Sequence, residues 1–184
     1  MLITEEYKTL NTILHERKGS YGSSLMTRKY YPHISELAKS QGVADIIDYG
    51  CGKGNMAIAL SHLLVTGYDP AVKEFSEQPE SVDMVCCLDV LEHIEPDCLD
   101  DVLAHIQSLA KKCVFLTIHV GPARKILADG RNAHLIQEPY MWWMTKLHTF
   151  WNIRLYQAKK NELLFFAIPH HLVADPLKQG IAEA

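Results

Sequence analysis

Apolar and polar positions change rhythm several times along the 184 residues. Ile3, Tyr7, Leu10 and Leu14 recur at helical spacing, which predicts an amphipathic N-terminal helix. A polar, Gly- and Ser-rich loop follows over His15–His33. Pro32 suits the first turn of a second helix, with Ile34, Leu37 and Ala38 inward and Gly42 as its stop. "ADIID" (Ala44–Asp48) predicts a strand, "MAIALSHLL" (Met56–Leu64) a helix and "VTGYD" (Val65–Asp69) a second strand. "DMVCCLD" (Asp83–Asp89) is a near-continuous apolar run, as expected of a central parallel strand buried on both faces. Leu99, Val102, Leu103, Ile106 and Leu109 share one face of a helix predicted over Leu99–Lys112. "CVFLTIHV" (Cys113–Val120) is a fourth strand, and a helix is expected within Glu138–Phe150. Trp151–Ala158 and Asn161–Ile168, joined by a polar turn, predict a closing antiparallel hairpin.

Strands that alternate with helices and then end in a hairpin imply an α/β fold: a Rossmann-like, mostly parallel open sheet with helices on both faces. The length suits a single domain with one sizeable core. Residues 1–42 would supply N-terminal helices and a covering loop, 43–120 a ligand-binding core, and 121–184 a substrate-side insertion and the terminal hairpin. In such sheets ligands bind beyond the carboxyl ends of the strands, near the switch in strand order. The tips of interest therefore follow Ile47, Tyr68, Leu88 and Val120.

The glycine-bearing tip after the first strand reads Asp48-Tyr49-Gly50-Cys51-Gly52-Lys53-Gly54. A phosphate P-loop needs a Gly-Lys-Ser/Thr ending, and here Lys53 is followed by Gly54 and Asn55. A dinucleotide fingerprint needs G-x-G-x-x-G, whereas the spacing here is G-x-G-x-G. The carboxylate of Asp48 would repel a pyrophosphate but suits a cationic ligand, while the glycines let that ligand press against backbone. Without a ligand, the same residues make a tight strand-to-helix turn. Asp69 ends the second strand, where an acidic residue binds ribose hydroxyls in Rossmann-like sites; its alternative role is that of a turn or cap aspartate. Asp89, at the third tip, opens "DVLEHIEP".

"DYGCGKG", "GYDP" and "LDVLEHI", in this order and spacing, resemble the cofactor motifs of class I S-adenosylmethionine-dependent methyltransferases. The resemblance covers Ala44–Val120 well and the flanks loosely. It implies S-adenosylmethionine as cofactor, with Asp48, Tyr49, Gly50, Cys51, Gly52 and Gly54 around its methionine part. Tyr68, Asp69 and Pro70 would meet its ribose and adenine. Leu88, Asp89 and Val90 would lie along the ribose side or near the methionyl ammonium. It implies methyl transfer to an oxygen or nitrogen of a small-molecule acceptor, a saccharide among the expected types. The family usually places a further helix and strand after the ribose acid, but only "PAVKEFSEQPESV" separates Asp69 from Asp83. That is too short for both. The usual third strand is therefore expected to be absent or vestigial, and Tyr21, Gly22 and Ser23 are expected to help cover the cofactor.

Other residues keep two readings. Asp89, Glu92 and His93 are neighbours on one turn and, with His134, match a metal-binding arrangement of the small-RNA terminal-ribose methyltransferases; many family members carry "LEH" as structural residues without metal. No metal is assigned on the sequence alone. His134, crowded by Asp129, Arg131 and Asn132, and His93 are the candidate catalytic bases, set against a structural role shared by most of the ten histidines. Arg131 is a candidate to hold an acceptor's carboxylate or phosphate. Trp142, Trp143 and Trp151 either pack a helix on the sheet or form a substrate platform. Rival functions are a metal-assisted ribose O-methyltransferase on an RNA end and a non-catalytic cofactor-binding module.

The formal net charge is −4 and no basic stripe appears, which argues against duplex nucleic acid as partner. Five cysteines form no CxxC pair, and Cys86, Cys87 and Cys113 lie in apolar runs, which fits a reducing compartment. "MLITEEYKTL" carries two glutamates and lacks the apolar core of a signal peptide, and no run reaches the roughly 18 apolar residues of a membrane span. The expected location is the cytoplasm, with no membrane partner.

Overall fold

A computed structural model describes residues 1–16, 22 and 27–172. Tyr21 and Ser23 lie outside the described residues. The chain opens with α1 (Glu5–Glu16), whose N-terminus is capped by Thr4 Oγ1 accepting the Tyr7 N–H at 3.1 Å. Pro32 stands in the first turn of α2 (Tyr31–Ser40), which stops just before Gly42. The core then runs β1 (Asp45–Tyr49), α3 (Asn55–Ala59), β2 (Leu64–Tyr68), β3 (Val82–Leu88), α4 (Leu99–Leu109) and β4 (Ala110–His119). It closes with α5 (Tyr140–His148), β5 (Trp151–Lys159) and β6 (Glu162–Pro169).

The six strands form one sheet in the order β2-β1-β3-β4-β6-β5. The first four are parallel, and β6 and β5 add antiparallel, as the terminal hairpin pattern implies. Between Asp69 and β3 there is only a single 3-10 turn, Lys73–Phe75, so no strand intervenes and β2 is the sheet edge. From β1 the chain turns outward to β2 and later returns to β3 on the other side. This switch point splays the tips of β1 and β3 and opens a crevice between them.

Period-two alternation divides the core. Ile46, Met84, Cys86, Cys113, Phe115 and Leu164 pack one sheet face beneath α2 and α3. Ile47, Val85, Cys87, Val114, Leu116 and Phe165 pack the other beneath α4 and α5, together with Trp143 and Trp151. A third cluster sets Tyr7 and Leu14 of α1 against Leu127 and Ala133, so α1 and the 121–135 segment form a roof above the strand tips.

Two boundaries depart from the sequence pattern. The helix expected over Met56–Leu64 ends at Ala59, because Leu64 and Val65 pair with Asp45 and Ile46 and start β2 early. The helix expected to reach Lys112 ends at Leu109, because Ala110 pairs with Val82 across a bulge and carries β4 three residues further back. In both places cross-strand hydrogen bonds prevail over helix propensity. Among the described residues no helix is long and apolar enough to cross a membrane.

Leu103 is fully buried between α4 and the sheet. Leu103→Ala should cost about 2–5 kcal/mol of stability, read as a lower urea midpoint with an unchanged slope of free energy against denaturant.

Candidate functional site

A cavity of about 680 Å³ lies over the tips of β1, β3 and β4, beneath the roof. It falls in the range of about 300–1,000 Å³ typical of small-molecule sites. Asp48, Tyr49, Gly50, Asp69, Pro70, Leu88, Asp89, Val90, His93 and His134 all line it. Cys51, Gly52, Gly54 and Tyr68 stand behind its wall. The Tyr68 ring packs on Tyr49 in the apolar core, at 5.0 Å between centroids, and its carbonyl accepts the Gly50 and Cys51 N–H groups at 2.7 and 3.2 Å.

The loop between β1 and α3 requires its glycines for two reasons. Gly50 and Gly52 have φ of +76° and +54°, which strains other residues. A Cβ on Gly52 would also lie 2.6 Å from the Gly22 backbone, and one on Gly50 would strike Val90. The Gly22 carbonyl accepts the Lys53 N–H at 3.0 Å, so the incoming chain rests directly on the loop. Gly22 also lines the cavity.

Six acidic residues line the cavity, and four of them, Asp48, Asp69, Asp89 and Glu92, stand at or just beyond the strand tips. Asp69 ties the tips together: Oδ2 accepts the Gly52 N–H and Oδ1 the Ala71 N–H, each at 3.0 Å. His15 Nε2 stands 3.9 Å from Asp69 Oδ2. Sequence reasoning gave His15 no role, since it sits at the end of a helix 54 positions away (69 − 15) and only the roof brings it to Asp69. Asp48 is buried, and burial first, then the charge of Asp69, push its carboxyl up from 3.8 to about 7. Asp89 sits at φ +53°. Its N–H reaches the Thr117 hydroxyl and carbonyl, each at 3.0 Å, and its carboxylate accepts the Thr117 hydroxyl at 2.7 Å. Its carboxyl is raised by burial, an effect reduced by the Thr117 hydrogen bond. Glu92 is fully buried, and desolvation pushes it well above the usual carboxylate range.

Glu92, His93 and His134 gather on the side toward the 121–135 segment. Glu92 Oε1 accepts the His119 N–H at 2.9 Å, and among the described residues its Oε2 has no hydrogen-bond partner. His93 Nδ1 is 2.7 Å from the Ala133 carbonyl and His134 Nδ1 is 2.6 Å from that of Gly121. A carbonyl only accepts, so each Nδ1 carries the proton and each Nε2 a lone pair. The two rings meet edge-on at 4.6 Å, and His119 follows at 5.1 Å from His134. Burial, then the neighbouring His134, lower His93 to about 3, and burial lowers His134, so both are neutral near pH 7.

Other candidates fall outside this wall. Arg131 pairs with Asp129 at 2.6 Å and does not line the cavity. Trp143 and Trp151 are fully buried in the core, Trp142 packs at its margin, and none of the three lines the cavity. Helix packing, not a substrate platform, accounts for them.

The sequence profile of the methyltransferase domain matches residues 23–165. The chain belongs to this family, and its fold and three tip motifs place it in the class I, S-adenosylmethionine-dependent division. Two curated relatives from Aliivibrio fischeri strains, each named ubiquinone biosynthesis O-methyltransferase, are 30% and 29% identical over 108 residues. Those matches take in 55% of this chain and 44% of each relative, so the chain spans less than half the length of the relatives it matches. In fold it is similar to magnesium protoporphyrin IX methyltransferase from Synechocystis PCC 6803, solved with bound S-adenosylmethionine: TM-score 0.63, 16% identity, 90% of this chain and 98% of that one. It is also similar to 1,6-didemethyltoxoflavin-N1-methyltransferase from Burkholderia thailandensis, solved with its 1,6-didemethyltoxoflavin and S-adenosylhomocysteine: TM-score 0.60, 18% identity, 92% and 91% coverage.

The raised Asp48 carboxyl links the site to stability. Its favourable contribution is complete below the ordinary value of 3.8 and is lost as pH rises through about 7, where the buried group must ionise. The Asp48 contribution of the ligand-free protein should therefore fall between pH 4 and 7, against the opposite trend from the lowered His93 and His134. Asp48→Asn should remove that falling contribution and raise stability at pH 8 by about 1–3 kcal/mol, measured as the difference in thermal midpoint from the wild type against pH.

Proposed function

We propose that this enzyme moves a methyl group from S-adenosylmethionine to an oxygen or nitrogen of a small-molecule acceptor, held beneath the 121–135 segment. The observation that carries it is the meeting of all three tip motifs around one cavity, on a glycine loop too tightly covered for any Cβ at position 52. That cradle fits an extended ligand pressed on backbone. When bound, the cofactor supplies an electrophilic methyl on a positive sulfonium. Asp69 keeps lone pairs beyond its two backbone bonds and accepts the ribose hydroxyls. Asp48 ionises against the methionyl ammonium, which offsets the cost of its burial. Gly50, Gly52 and Gly54, with Tyr49 and Cys51 between them, shape the methionine side, while Tyr68 acts from behind by fixing the loop. Pro70 borders the adenine end, and Leu88, Asp89 and Val90 wall the ribose and ammonium side.

His93 and His134 stand as neutral imidazoles on the acceptor side. They are placed to take up the acceptor's proton, directly or by holding a group that favours its loss. Alignment of the nucleophile with the sulfonium methyl supplies most of the remaining rate. The named relatives act on small organic molecules, which supports a small-molecule acceptor. A saccharide acceptor loses the support of a tryptophan platform. In this reading residues 1–42 form the roof, 43–120 the cofactor core and 121–184 the acceptor side of one domain. The five buried free cysteines support a reducing, cytoplasmic setting.

Titration calorimetry with S-adenosylmethionine and S-adenosylhomocysteine tests this. The wild type should bind both, and Asp69→Ala should weaken each at least tenfold, about 1.4 kcal/mol. No binding by the wild type would sink the cofactor assignment, and unchanged binding by Asp69→Ala would remove the ribose contact. Binding without transfer to any acceptor in a cell extract would favour a non-catalytic module.

A further inference from the structure

We infer that the acceptor is a small organic anion, whose carboxylate or phosphate is held by Arg124 and Lys125 while its apolar body lies against Ile3 and Ala123. This deepens the small-molecule reading above and rests on it for the chemistry that the acceptor undergoes.

Arg124 and Lys125 both line the cavity, and among the described residues no other Lys or Arg does. Six acids line the same cavity, yet none pairs with either cation. Glu95 instead accepts the Thr4 N–H at 2.9 Å and its hydroxyl at 2.8 Å, and Glu162 takes Lys29 at 2.7 Å. Among the described residues neither the Arg124 nor the Lys125 side chain has an ion-pair or hydrogen-bond partner, whereas nearby Arg131 is taken by Asp129. Unpaired cations are ordinary on an open surface. These two differ in facing a cavity whose acids leave them unused.

The backbone that carries them is pinned. Asn132 Oδ1 accepts the Ala123 N–H and its Nδ2 donates to the Ala123 carbonyl, each at 2.9 Å. The Lys125 carbonyl accepts the Ala133 N–H at 3.0 Å, and Ile126 bridges to Asn132. Leu127 and Ala133 anchor this hairpin beneath α1. A cation pair on a fixed hairpin loses less freedom on binding than one on a loose loop. The planar guanidinium takes two oxygens of a carboxylate or phosphate at once, and the ammonium adds a point charge.

The pair also lies close to the chemistry. His134 Nδ1 is 2.6 Å from the Gly121 carbonyl, so the segment that carries the cations begins beside that imidazole. Three steps of chain from Gly121 to Arg124 reach at most about 11 Å. That span suits a small molecule with its anion at one end and its nucleophile at the other. Ile3 and Ala123 pack in one apolar cluster and both line the cavity, which gives the body of such a molecule an apolar wall beside the cations. A cationic acceptor would be repelled here, and a neutral one would leave both cations unused.

The test titrates the full chain, saturated with S-adenosylhomocysteine, with four probes that share a benzene ring: benzoate, phenyl phosphate, benzyl alcohol and benzylammonium. Ligand-observed NMR reads their dissociation constants. Benzoate or phenyl phosphate should bind about tenfold more tightly than the alcohol or the ammonium, and whichever anion leads gives the acceptor's charged group. Arg124→Ala and Lys125→Ala should each weaken that anion about fivefold. Arg154→Ala, which removes an exposed cation of β5 outside the cavity, should not. Calorimetry on the same samples follows S-adenosylhomocysteine, whose affinity should be the same in all of them. If the wild type does not bind it, the cofactor reading fails, and the same probes on the ligand-free chain decide the anion site alone. Absence of anion binding, equal binding of all four probes, or anion binding unchanged in Arg124→Ala and Lys125→Ala would overturn the proposal. So would loss of S-adenosylhomocysteine binding in those variants, which would give the cations to the cofactor's own carboxylate.

Discussion

The Asp69 carboxylate joins the tips of β1 and β2 through two backbone hydrogen bonds, to Gly52 and Ala71. Much of the site depends on this tie. It holds the glycine loop in a left-handed path that brings Gly52 against the Gly22 backbone. It also orients the acid itself toward the cavity, where His15 at the end of α1 stands 3.9 Å away. Since β2 is an edge strand with no further strand beyond it, this tie and the 3-10 turn at Lys73–Phe75 stand where a larger sheet would provide support. One side chain thus serves both as a brace of the fold and as a wall of the site.

The same cavity collects charge that a folded core would ordinarily exclude. Asp48, Asp69 and Glu92 are all buried, and Asp89 is close behind. Burial first, and then the charge of a neighbouring carboxylate, push Asp48 and Glu92 up. Such an arrangement costs stability in the empty protein and is relieved by positive ligands. A sulfonium with an ammonium in the cavity would neutralise part of it. Binding and folding are coupled through these groups.

Much of this was legible in the sequence because the signals are local. The apolar run Met84–Leu88 reads as a strand covered on both faces, and the thirteen residues from Pro70 to Val82 (82 − 70 + 1) are too few for the usual helix and strand. The glycines and the acids at the strand tips carry their own chemical meaning. Signals that depend on long-range contact were not legible. The ends of α3 and α4 are set by cross-strand pairing of Leu64 and Ala110, which their own neighbours in sequence do not reveal. The role of His15 depends on the roof. The Glu92–His93–His134 trio was visible as residue types, yet only the fold removes Asp89 from it and shows the backbone partners at 119, 121 and 133.

A crystal structure with S-adenosylhomocysteine tests the central claim most directly. The account predicts density along the β1 tip, with both ribose hydroxyls within hydrogen-bond distance of Asp69 and the methionine part against Gly50–Gly54, its ammonium toward Asp48. Ligand density elsewhere on the protein, or a ribose turned away from Asp69, would contradict it.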